Sequence, residues 1–469
     1  MQLTGLLLLT AASSVVAVPA YDAETDNVVE LEAHPNPNLV SLPSTQHLAR
    51  RRTDILSRRL ARRQTYPNAN VNEDLIGVGG RIYITNVTMA GQNFAMVIDT
   101  GSSDTWLATT NFQCLDPDYG TPLSNTYCAF PSYYNRAGSS TWRSINADFN
   151  VTYAGGEFLN GKLGTENLGI GGISRGQSPF VTVKQTIGAV DSGYWNGDGI
   201  SSGLMGLAYP ALAKGINNRQ LNYTSILYTL FQNPSIPPVF SLALRRPTTA
   251  QPRAGGLLAI GGIPSSITND GRWVQVPVQP PVQGIYAYYS ITVDGYDITP
   301  PTASGTPTSS RAPTATPTGR YASSKQNMII DSGTSLLYFP DEIASYIASL
   351  FDPPARYISS TNTYVVLCTA RAPRVGVRIG GQSYFISEAD LMNKGPGAVG
   401  GSYVGAGTGE CAVAIQNAMG GTLVLGDAWL KNVVVVFDLA NATDIGVGGS
   451  DAKKNGGGAV RIVGREVYT

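Results

Sequence analysis

The chain of 469 residues contains 32 Lys and Arg residues and 32 Asp and Glu residues, so its formal net charge is zero. Without a basic excess, no nucleic-acid partner is expected. There are 53 glycines and 29 prolines, while charged residues make up only 14%. This composition is typical of many short strands joined by turns, which favours an all-β fold.

The first residues are typical of a secretion signal. Residues 6–18 form an apolar stretch that is short for a membrane span, with small residues at Ala17 and Ala20. We therefore predict a signal peptide over residues 1–17 and a secreted, extracellular product. At the other end, residues 448–469 are rich in glycine and lack the hydrophobic tail of a lipid-anchor signal, so no membrane anchor is expected.

Residues 18–63 differ in composition from the rest of the chain and end in arginine clusters at residues 50–52, 58–59 and 62–63. A charge run of this kind is most often solvated or a nucleic-acid patch. Its place between a secretion signal and the first predicted strands favours a propeptide with dibasic processing sites. The mature chain is then expected to begin near Gln64.

Histidine usage excludes several classes of hydrolase. His34 and His47 are the only histidines, and both precede the predicted mature start. A Ser-His-Asp or Cys-His hydrolase, or a zinc peptidase with histidine ligands, would have no histidine left in the mature protein. No metal and no cofactor are expected.

One motif occurs twice, 232 residues apart, as Asp99-Thr100-Gly101-Ser102-Ser103 and as Asp331-Ser332-Gly333-Thr334-Ser335. Each copy follows an apolar run, at residues 94–98 and 328–330. Each therefore predicts a buried strand that delivers an Asp onto a tight glycine turn. A pair of Asx turns is the alternative, but the hydroxyl neighbours recur in both copies. Two related halves that each supply one carboxylate to a shared site explain the pattern better.

A third Asp-Ser-Gly, at residues 191–193, continues with Tyr194 and Trp195 instead of hydroxyl residues. We interpret Asp191 as part of an ordinary turn.

Around the two motifs the chain resembles the pepsin family of aspartic endopeptidases over residues 80–446, most closely its secreted fungal members. The first motif continues to Trp106, as in the family's first active-site loop. Val151-Thr152-Tyr153, followed by two glycines, is similar to the tip of the flap that closes over substrate. Residues 204–210 and 424–427 resemble the apolar segments that pass beside each catalytic loop.

The resemblance implies an all-β, bilobal fold with the active site in the cleft between two related lobes. We place the N-terminal lobe at residues 64–245 and the C-terminal lobe at residues 246–447. Residues 302–318, rich in Ser, Thr and Pro, are predicted to be a disordered surface insertion, and residues 448–469 a tail. A monomer is expected.

The resemblance also implies roles for the motif residues. Asp99 and Asp331 are the expected catalytic pair, and since two facing carboxylates cannot both ionise cheaply, they share one proton. Aspartic proteases are the standard example of that behaviour. The expected supporting residues are Thr100, Gly101, Ser102, Ser332, Gly333 and Thr334. The expected flap and substrate-binding residues are Tyr153, Trp106, Gly155 and Leu204.

The predicted flap departs from the family pattern. The stretch from Tyr153 to Gly161 is about one residue longer than usual and places Glu157 near its tip. Glu157 is either a solvated turn residue or a source of preference for basic substrate side chains. Ser202, near Leu204, replaces an acidic residue that is common in the family.

Four cysteines fit an oxidising compartment and allow three pairings. The resemblance favours Cys114–Cys128 and Cys368–Cys411. Sequons for N-glycosylation begin at Asn86, Asn150, Asn222 and Asn441.

The sequence thus predicts a secreted aspartic endopeptidase, made as a zymogen, that acts on polypeptides in acid and binds its own propeptide. Apolar side chains around the scissile bond are the expected preference. Two alternatives use the same residues: a catalytically silent homologue that binds peptide in the cleft, and a two-carboxylate glycoside hydrolase. The intact Asp99, Asp331 and Tyr153 disfavour the first, and the matched Asp-Thr/Ser-Gly loops disfavour the second.

Overall fold

The computed structural model describes residues 40–41, 65–66, 71–78, 81–172, 178–213, 215–216, 223–246, 253–263, 273–280, 286–301, 319–321, 325–393, 409–439 and 457–465. The predicted signal peptide, the predicted insertion at 302–318 and the sequons at Asn222 and Asn441 lie outside these residues. Within the described part of the chain, no helix is long and apolar enough to cross a membrane.

Strands dominate the described residues. Those of the first half are β1 (Val40–Ser41), β2 (Thr65–Tyr66), β3 (Val71–Val78), β4 (Ile82–Met89), β5 (Gln92–Asp99), β6 (Thr105–Cys114), β7 (Arg143–Thr152), β8 (Phe158–Ile170), β9 (Val181–Tyr194), β10 (Gly203–Gly206), β11 (Gly215–Ile216), β12 (Val239–Leu244) and β13 (Ala254–Ile260). Those of the second half are β14 (Val274–Pro277), β15 (Ser290–Val293), β16 (Gly295–Thr299), β17 (Gly319–Tyr321), β18 (Gln326–Ile330), β19 (Leu337–Phe339), β20 (Arg356–Ile358), β21 (Thr363–Leu367), β22 (Arg374–Ile379), β23 (Gln382–Ile386), β24 (Met392–Asn393), β25 (Glu410–Val413), β26 (Ile415–Asn417), β27 (Val424–Leu425), β28 (Val433–Asp438) and β29 (Ala459–Gly464).

Four short helices are described: α1 (Ile226–Leu230), α2 (Asp341–Ser349), α3 (Glu388–Leu391) and α4 (Asp427–Leu430). The longest, α2, follows Pro340 and buries Ile343 and Ile347 one turn apart on the same face. The shorter helix α1 buries Ile226, Leu227 and Leu230.

A sheet of fourteen strands runs through the molecule in the order β11-β7-β8-β9-β6-β10-β5-β4-β3-β13-β12-β28-β29-β14. Strands of both chain halves therefore share one hydrogen-bonded layer. Its middle strands β12 and β28 are buried along almost their whole length, as expected for apolar runs covered on both faces. The apolar run at residues 433–437 lies entirely within β28.

Three smaller sheets complete the second half, in the orders β15-β18-β27-β19-β26, β17-β16-β22-β23 and β20-β21-β25-β24. The all-β prediction is confirmed. The segment predicted as a tail contributes β29, whose Val460 and Ile462 are buried between β28 and β14. Its glycines had suggested a loose end, but residues 459–463, which are apolar except for Arg461 and all buried, decide its structure.

One local arrangement is repeated in the two halves and positions the site. In the first half, β10 lies parallel to β5, with Gly206 opposite Asp99. In the second half, β27 lies parallel to β18, with Leu425 opposite Ile330. Each motif Asp therefore stands at the end of a buried strand that a second apolar strand flanks.

Candidate active site

The two motif loops face each other, and both aspartates are buried. A Cβ atom on Gly101 would lie 2.6 Å from Oδ1 of Asp331, and a Cβ atom on Gly333 would collide in the same way with the carboxyl of Asp99. Only glycine lets each loop approach the opposite carboxyl this closely. The structure thus brings together Asp99 and Asp331, which lie 232 residues apart in sequence.

Each carboxyl is held by its own loop in the same way. The Gly101 backbone N–H donates to Oδ1 of Asp99 over 2.7 Å, and the Ser102 hydroxyl donates to Oδ2. In the second loop, the Gly333 N–H donates to Oδ1 of Asp331 over 2.8 Å. The Thr334 hydroxyl donates to its Oδ2 over 2.6 Å. These bonds fix both carboxyl planes before any substrate arrives.

Four reciprocal hydrogen bonds join the loops through Thr100 and Ser332. The Ser332 N–H donates to the Thr100 hydroxyl over 2.9 Å, and the Thr100 N–H donates to the Ser332 hydroxyl over 3.2 Å. Each hydroxyl then donates across the interface, from Thr100 to the Ile330 carbonyl and from Ser332 to the Ile98 carbonyl. Both residues are fully buried, so no water competes for these bonds.

Burial and charge act together on the pair. Burial raises the pKa of Asp99 well above its ordinary value, and the negative charge of Asp331 raises it further. The hydrogen bonds from Ser102 and Gly101 oppose this shift. Because the two carboxyls are coupled, one proton is retained between them over a wide pH range. The site therefore holds a base and an acid side by side.

The hairpin of β7 and β8, which resembles the family's flap, carries Tyr153 at its turn, where the charge of Asp99 acts on the phenol. Its Tyr153 hydroxyl accepts a 2.7 Å hydrogen bond from Nε1 of Trp106, whose side chain is fully buried. Trp195 packs edge-on against both rings, with centroids 4.9 Å from Trp106 and 5.6 Å from Tyr153. This bond joins two of the expected flap and substrate-binding residues, and Trp195 completes an aromatic layer that sequence reasoning missed.

Two further predicted residues border this layer. Leu204 is buried directly opposite Trp106 in the β10–β6 ladder. Gly155 lies in the flap turn, half-buried. Ser202, which replaces a common acidic residue, is fully buried and hydrogen bonds to the Ser132 hydroxyl over 2.6 Å.

The interpretation of Asp191 as a turn residue is wrong. Asp191 lies within β9 and accepts hydrogen bonds from the Thr109 hydroxyl and from Arg136, at 2.7 and 2.8 Å. Cross-strand pairing with β8 extends on both sides of it. The ladder to distant strands outweighs the local turn preference of Asp-Ser-Gly.

The structure forms both disulfides that the resemblance implies, Cys114–Cys128 and Cys368–Cys411. Of the two sequons within the described residues, Asn150 is exposed on β7 and Asn86 is half-buried on β4. The described residues contain no group of three or more His, Cys, Asp or Glu side chains that would hold a metal ion.

Comparison with known proteins agrees with this geometry. The family model for eukaryotic aspartyl proteases matches residues 82–448, which include both motif loops and the flap. The chain belongs to the eukaryotic aspartyl protease family. It is an aspartic endopeptidase. The alternative of a two-carboxylate glycoside hydrolase is therefore excluded.

Individual relatives cover most of the chain. A probable aspartic-type endopeptidase of Aspergillus fumigatus is 34% identical, and the match covers 93% of this chain and 96% of that protein. Penicillopepsin-1 of Penicillium janthinellum is 27% identical, with 76% and 91% covered. Gastricsin of Oryctolagus cuniculus is also 27% identical, with 75% and 76% covered.

Two groups near the pair carried no role in the sequence-based prediction. Tyr288 is half-buried just before β15, and its pKa is raised by burial and then by the charges of Asp331 and Asp99. A phenol from the second half of the chain therefore lies close to the dyad of Asp99 and Asp331. The Tyr288-Tyr289 dipeptide is a weak signal by itself, since Tyr289 is an ordinary core residue.

Asp427 is a third buried carboxyl, behind the second loop. Its N–H donates to the Thr334 carbonyl over 2.8 Å, and its side chain is 1% exposed. Neither carboxyl oxygen has a hydrogen-bond partner among the described residues. Burial raises its pKa well above the ordinary value; Lys431 opposes the shift, and Asp331 and Asp99 reinforce it. The folded protein therefore favours the protonated form of Asp427 over a wider pH range than that of an ordinary carboxyl.

Tyr153→Phe removes the acceptor of the Trp106 indole N–H. A buried donor without a partner costs about 1–3 kcal/mol. We expect a lower Tm and a kcat/KM reduced roughly tenfold, because the flap loses its fixed position over the dyad. Thermal unfolding and peptide kinetics measure both.

The control is Tyr133→Phe, in the same aromatic cluster but without a side-chain hydrogen bond among the described residues. It should remain close to the native enzyme. Equal losses in the two variants would contradict a specific role for the Tyr153 hydroxyl.

Asp427→Asn tests the buried acid. Because the folded pKa of Asp427 lies above the unfolded value of about 3.9, its stabilising contribution is present at low pH and is lost as pH rises towards the folded pKa. The asparagine does not titrate. As pH rises from about 3 to about 6, the native enzyme loses this contribution and the variant does not. We therefore expect the Tm of the variant minus the Tm of the native enzyme to increase over this range.

Asp390→Asn is the control of opposite sign. Asp390 is buried, but the charges of Lys431 and Arg246 outweigh burial and lower its pKa. The contribution of Asp390 to stability is present above the unfolded pKa and is lost in acid. The Tm of this variant should therefore decrease relative to that of the native enzyme as pH rises. A Tm difference for Asp427→Asn that does not change with pH would refute the assignment.

Proposed function

We propose that this chain is a secreted endopeptidase, made as a zymogen, in which Asp99 and Asp331 activate a water molecule for attack on a peptide bond. The observation that supports this most strongly is the reciprocal clamp of Thr100 and Ser332, which holds two equivalent carboxyls in one buried, proton-sharing site. A clamp of this kind serves chemistry that needs both carboxyls at once.

In the proposed reaction, the ionised carboxyl takes a proton from water as the water oxygen attacks the peptide carbonyl carbon. The protonated carboxyl gives its proton to the carbonyl oxygen, and a tetrahedral diol forms. The diol then collapses, the C–N bond breaks, and the leaving nitrogen receives a proton from the pair. Acid and base steps of this kind each contribute about 10²–10⁴-fold. No covalent enzyme intermediate forms.

The neighbouring residues have matching roles in the proposal. Ser102 and Thr334 keep the carboxyls in plane, Gly101 and Gly333 allow their close approach, and Thr100 and Ser332 keep the loops in register. Tyr153, Trp106 and Gly155 form the flap side of the substrate cleft. Leu204 supplies an apolar wall, which supports a preference for apolar side chains around the scissile bond.

The remaining parts of the proposal concern biosynthesis. Residues 1–17 act as the signal peptide and residues 18–63 as the propeptide, ahead of lobes at residues 64–245 and 246–447. Antiparallel pairing of β1 with β2, with Val40 opposite Tyr66, supports contact between the propeptide and the start of the mature chain. The mature enzyme is an extracellular monomer. N-glycans are proposed at Asn86, Asn150, Asn222 and Asn441.

Asp99→Asn and Asp331→Asn test the mechanism. Each change keeps the size and most hydrogen bonds of the side chain but removes the shared proton. We expect turnover of a peptide substrate to fall at least about a thousandfold in either variant, while folding persists. The double variant should be about as inactive as either single one, because neither carboxyl works alone.

Asp191→Asn is the matched control, since Asp191 is followed by Ser-Gly but lies in β9, bonded to Thr109 and Arg136. Its turnover should stay near native, with a stability loss of roughly 1 kcal/mol. Additive losses in the double variant, or an active Asp331→Asn enzyme, would refute the shared-proton mechanism.

Maturation gives a separate test. We expect N-terminal sequencing of secreted enzyme to find a first residue near Gln64. A start at Val18 or Tyr21 would contradict the propeptide assignment. If removal of the propeptide is autocatalytic, Asp99→Asn protein should accumulate unprocessed, whereas processing by another protease would leave that variant with a mature N-terminus.

A further inference from the structure

Glu157 closes the turn of the flap, between β7 and β8. Its carbonyl accepts the Tyr153 N–H over 2.8 Å, and the Gly156 N–H donates to the Tyr153 carbonyl over 3.1 Å. The side chain is half-buried. Glu157 is thus part of a well-formed turn and moves with the segment that covers the dyad.

The carboxyl group of Glu157 folds back over the flap tip. A Cβ atom on Gly155 would lie 2.3 Å from Oε2, so the group occupies the space that a side chain at residue 155 would fill. Within the described residues, no other side chain donates a hydrogen bond to it. Burial raises its pKa, while its own backbone N–H opposes the shift. A half-buried carboxyl without a cation is poorly solvated and attracts one.

The surroundings of Glu157 are aromatic and acidic. Its charge acts on the phenols of Tyr153 and Tyr194. The other charged groups that act on these two phenols are also carboxyls: Asp99, Asp104, Asp116 and Asp118. They come from the first catalytic loop and from the loop closed by Cys114–Cys128. A cation entering this region meets several carboxyls and aromatic rings.

We propose that Glu157 is a specificity-determining residue, which gives this protease a preference for substrates that place a lysine or arginine side chain beneath the flap tip. The proposal rests on the endopeptidase function proposed above and names its substrate class. A substrate cation under the closed flap is shielded from water, so its ion pair with the carboxylate is stronger than one at the surface.

The chain itself contains a segment with this chemistry. Arginines cluster at residues 50–52, 58–59 and 62–63, directly before the predicted mature start. A basic propeptide and an acidic flap tip are complementary in charge, and the same contact would direct cleavage of one chain by another. Residues 57–66, Ser-Arg-Arg-Leu-Ala-Arg-Arg-Gln-Thr-Tyr, therefore supply the natural test peptide.

The experiment compares this peptide with a matched peptide in which citrulline replaces every arginine. Citrulline keeps the shape of arginine and removes its charge. We expect the mature native enzyme at about pH 6 to show a kcat/KM about tenfold higher for the arginine peptide, and Glu157→Gln to reduce that ratio to about threefold or less. Glu157→Asp should retain most of the preference, since it keeps the charge.

The pH dependence of the ratio provides a second measurement that needs no variant. Because the pKa of Glu157 is raised, its charge is lost early as pH falls. The native ratio should therefore approach that of Glu157→Gln at about pH 3. The proposal would be overturned if Glu157→Gln lost the preference for the arginine peptide but the ratio of the native enzyme did not change with pH. That result would mean that the shape of Glu157, and not its charge, determines the preference.

Asp148→Asn is the matched control. Asp148 is an exposed acid on the flap strand β7 that pairs with Lys162 on β8, so its substitution removes one charge from the same hairpin outside the cleft. The control should keep the native ratio. Equal ratios for native enzyme and Glu157→Gln at every pH would refute the role of Glu157 while leaving the dyad mechanism intact. The role of Glu157 would also be refuted if the native enzyme digested denatured protein but did not cleave the arginine peptide.

Discussion

The hydrogen bonds between Thr100 and Ser332 are the interaction on which the site depends. Two halves of one chain must hold two carboxyls within proton-sharing distance, and a small shift between them would separate the carboxyls. Each hydroxyl donates to a carbonyl of the opposite strand and accepts from an N–H of the opposite loop. Loss of either side chain leaves buried groups of both loops unpaired, so the clamp forms as a unit.

The clamp has an electrostatic consequence. Holding Asp99 against Asp331 in a buried site is unfavourable when both are ionised, and the enzyme retains a proton there instead. Asp427 adds a third carboxyl behind the second loop, without a hydrogen-bond partner among the described residues. Its raised pKa favours the protonated form, which adds no further charge beside the pair. Carboxyls with a raised pKa, here Asp99 and Asp427, favour stability in acid over stability at higher pH.

The dyad could be predicted from sequence because its signal is local and occurs twice: an apolar run, an Asp, a hydroxyl residue and a glycine. The structure around Asp191 could not be predicted in this way. The same tripeptide lies there in β9, and the side chains that bond to Asp191, Thr109 and Arg136, are 82 and 55 residues away in sequence. The segment that contains Asp427 resembles the family, but the resemblance gave its carboxyl no role; the side chain is placed by the second half itself, through the bond from the Asp427 N–H to the Thr334 carbonyl. Tyr288 carries no motif of its own. Likewise the strand at residues 459–464 was hidden by surrounding glycines.

The flap differs from the dyad in how it is held. Each carboxyl is fixed by a backbone N–H and a hydroxyl of its own loop, whereas among the described residues the flap tip has one side-chain hydrogen bond, from Trp106 to Tyr153. A hairpin that must open for an extended peptide cannot be held as tightly as the clamp. In the proposed function the substrate supplies the remaining contacts on closure, and Glu157 is the tip residue that we propose to contact it. The hydrogen-bonded loops hold the two carboxyls, and the less tightly bonded hairpin is where selectivity between substrates is expected to arise.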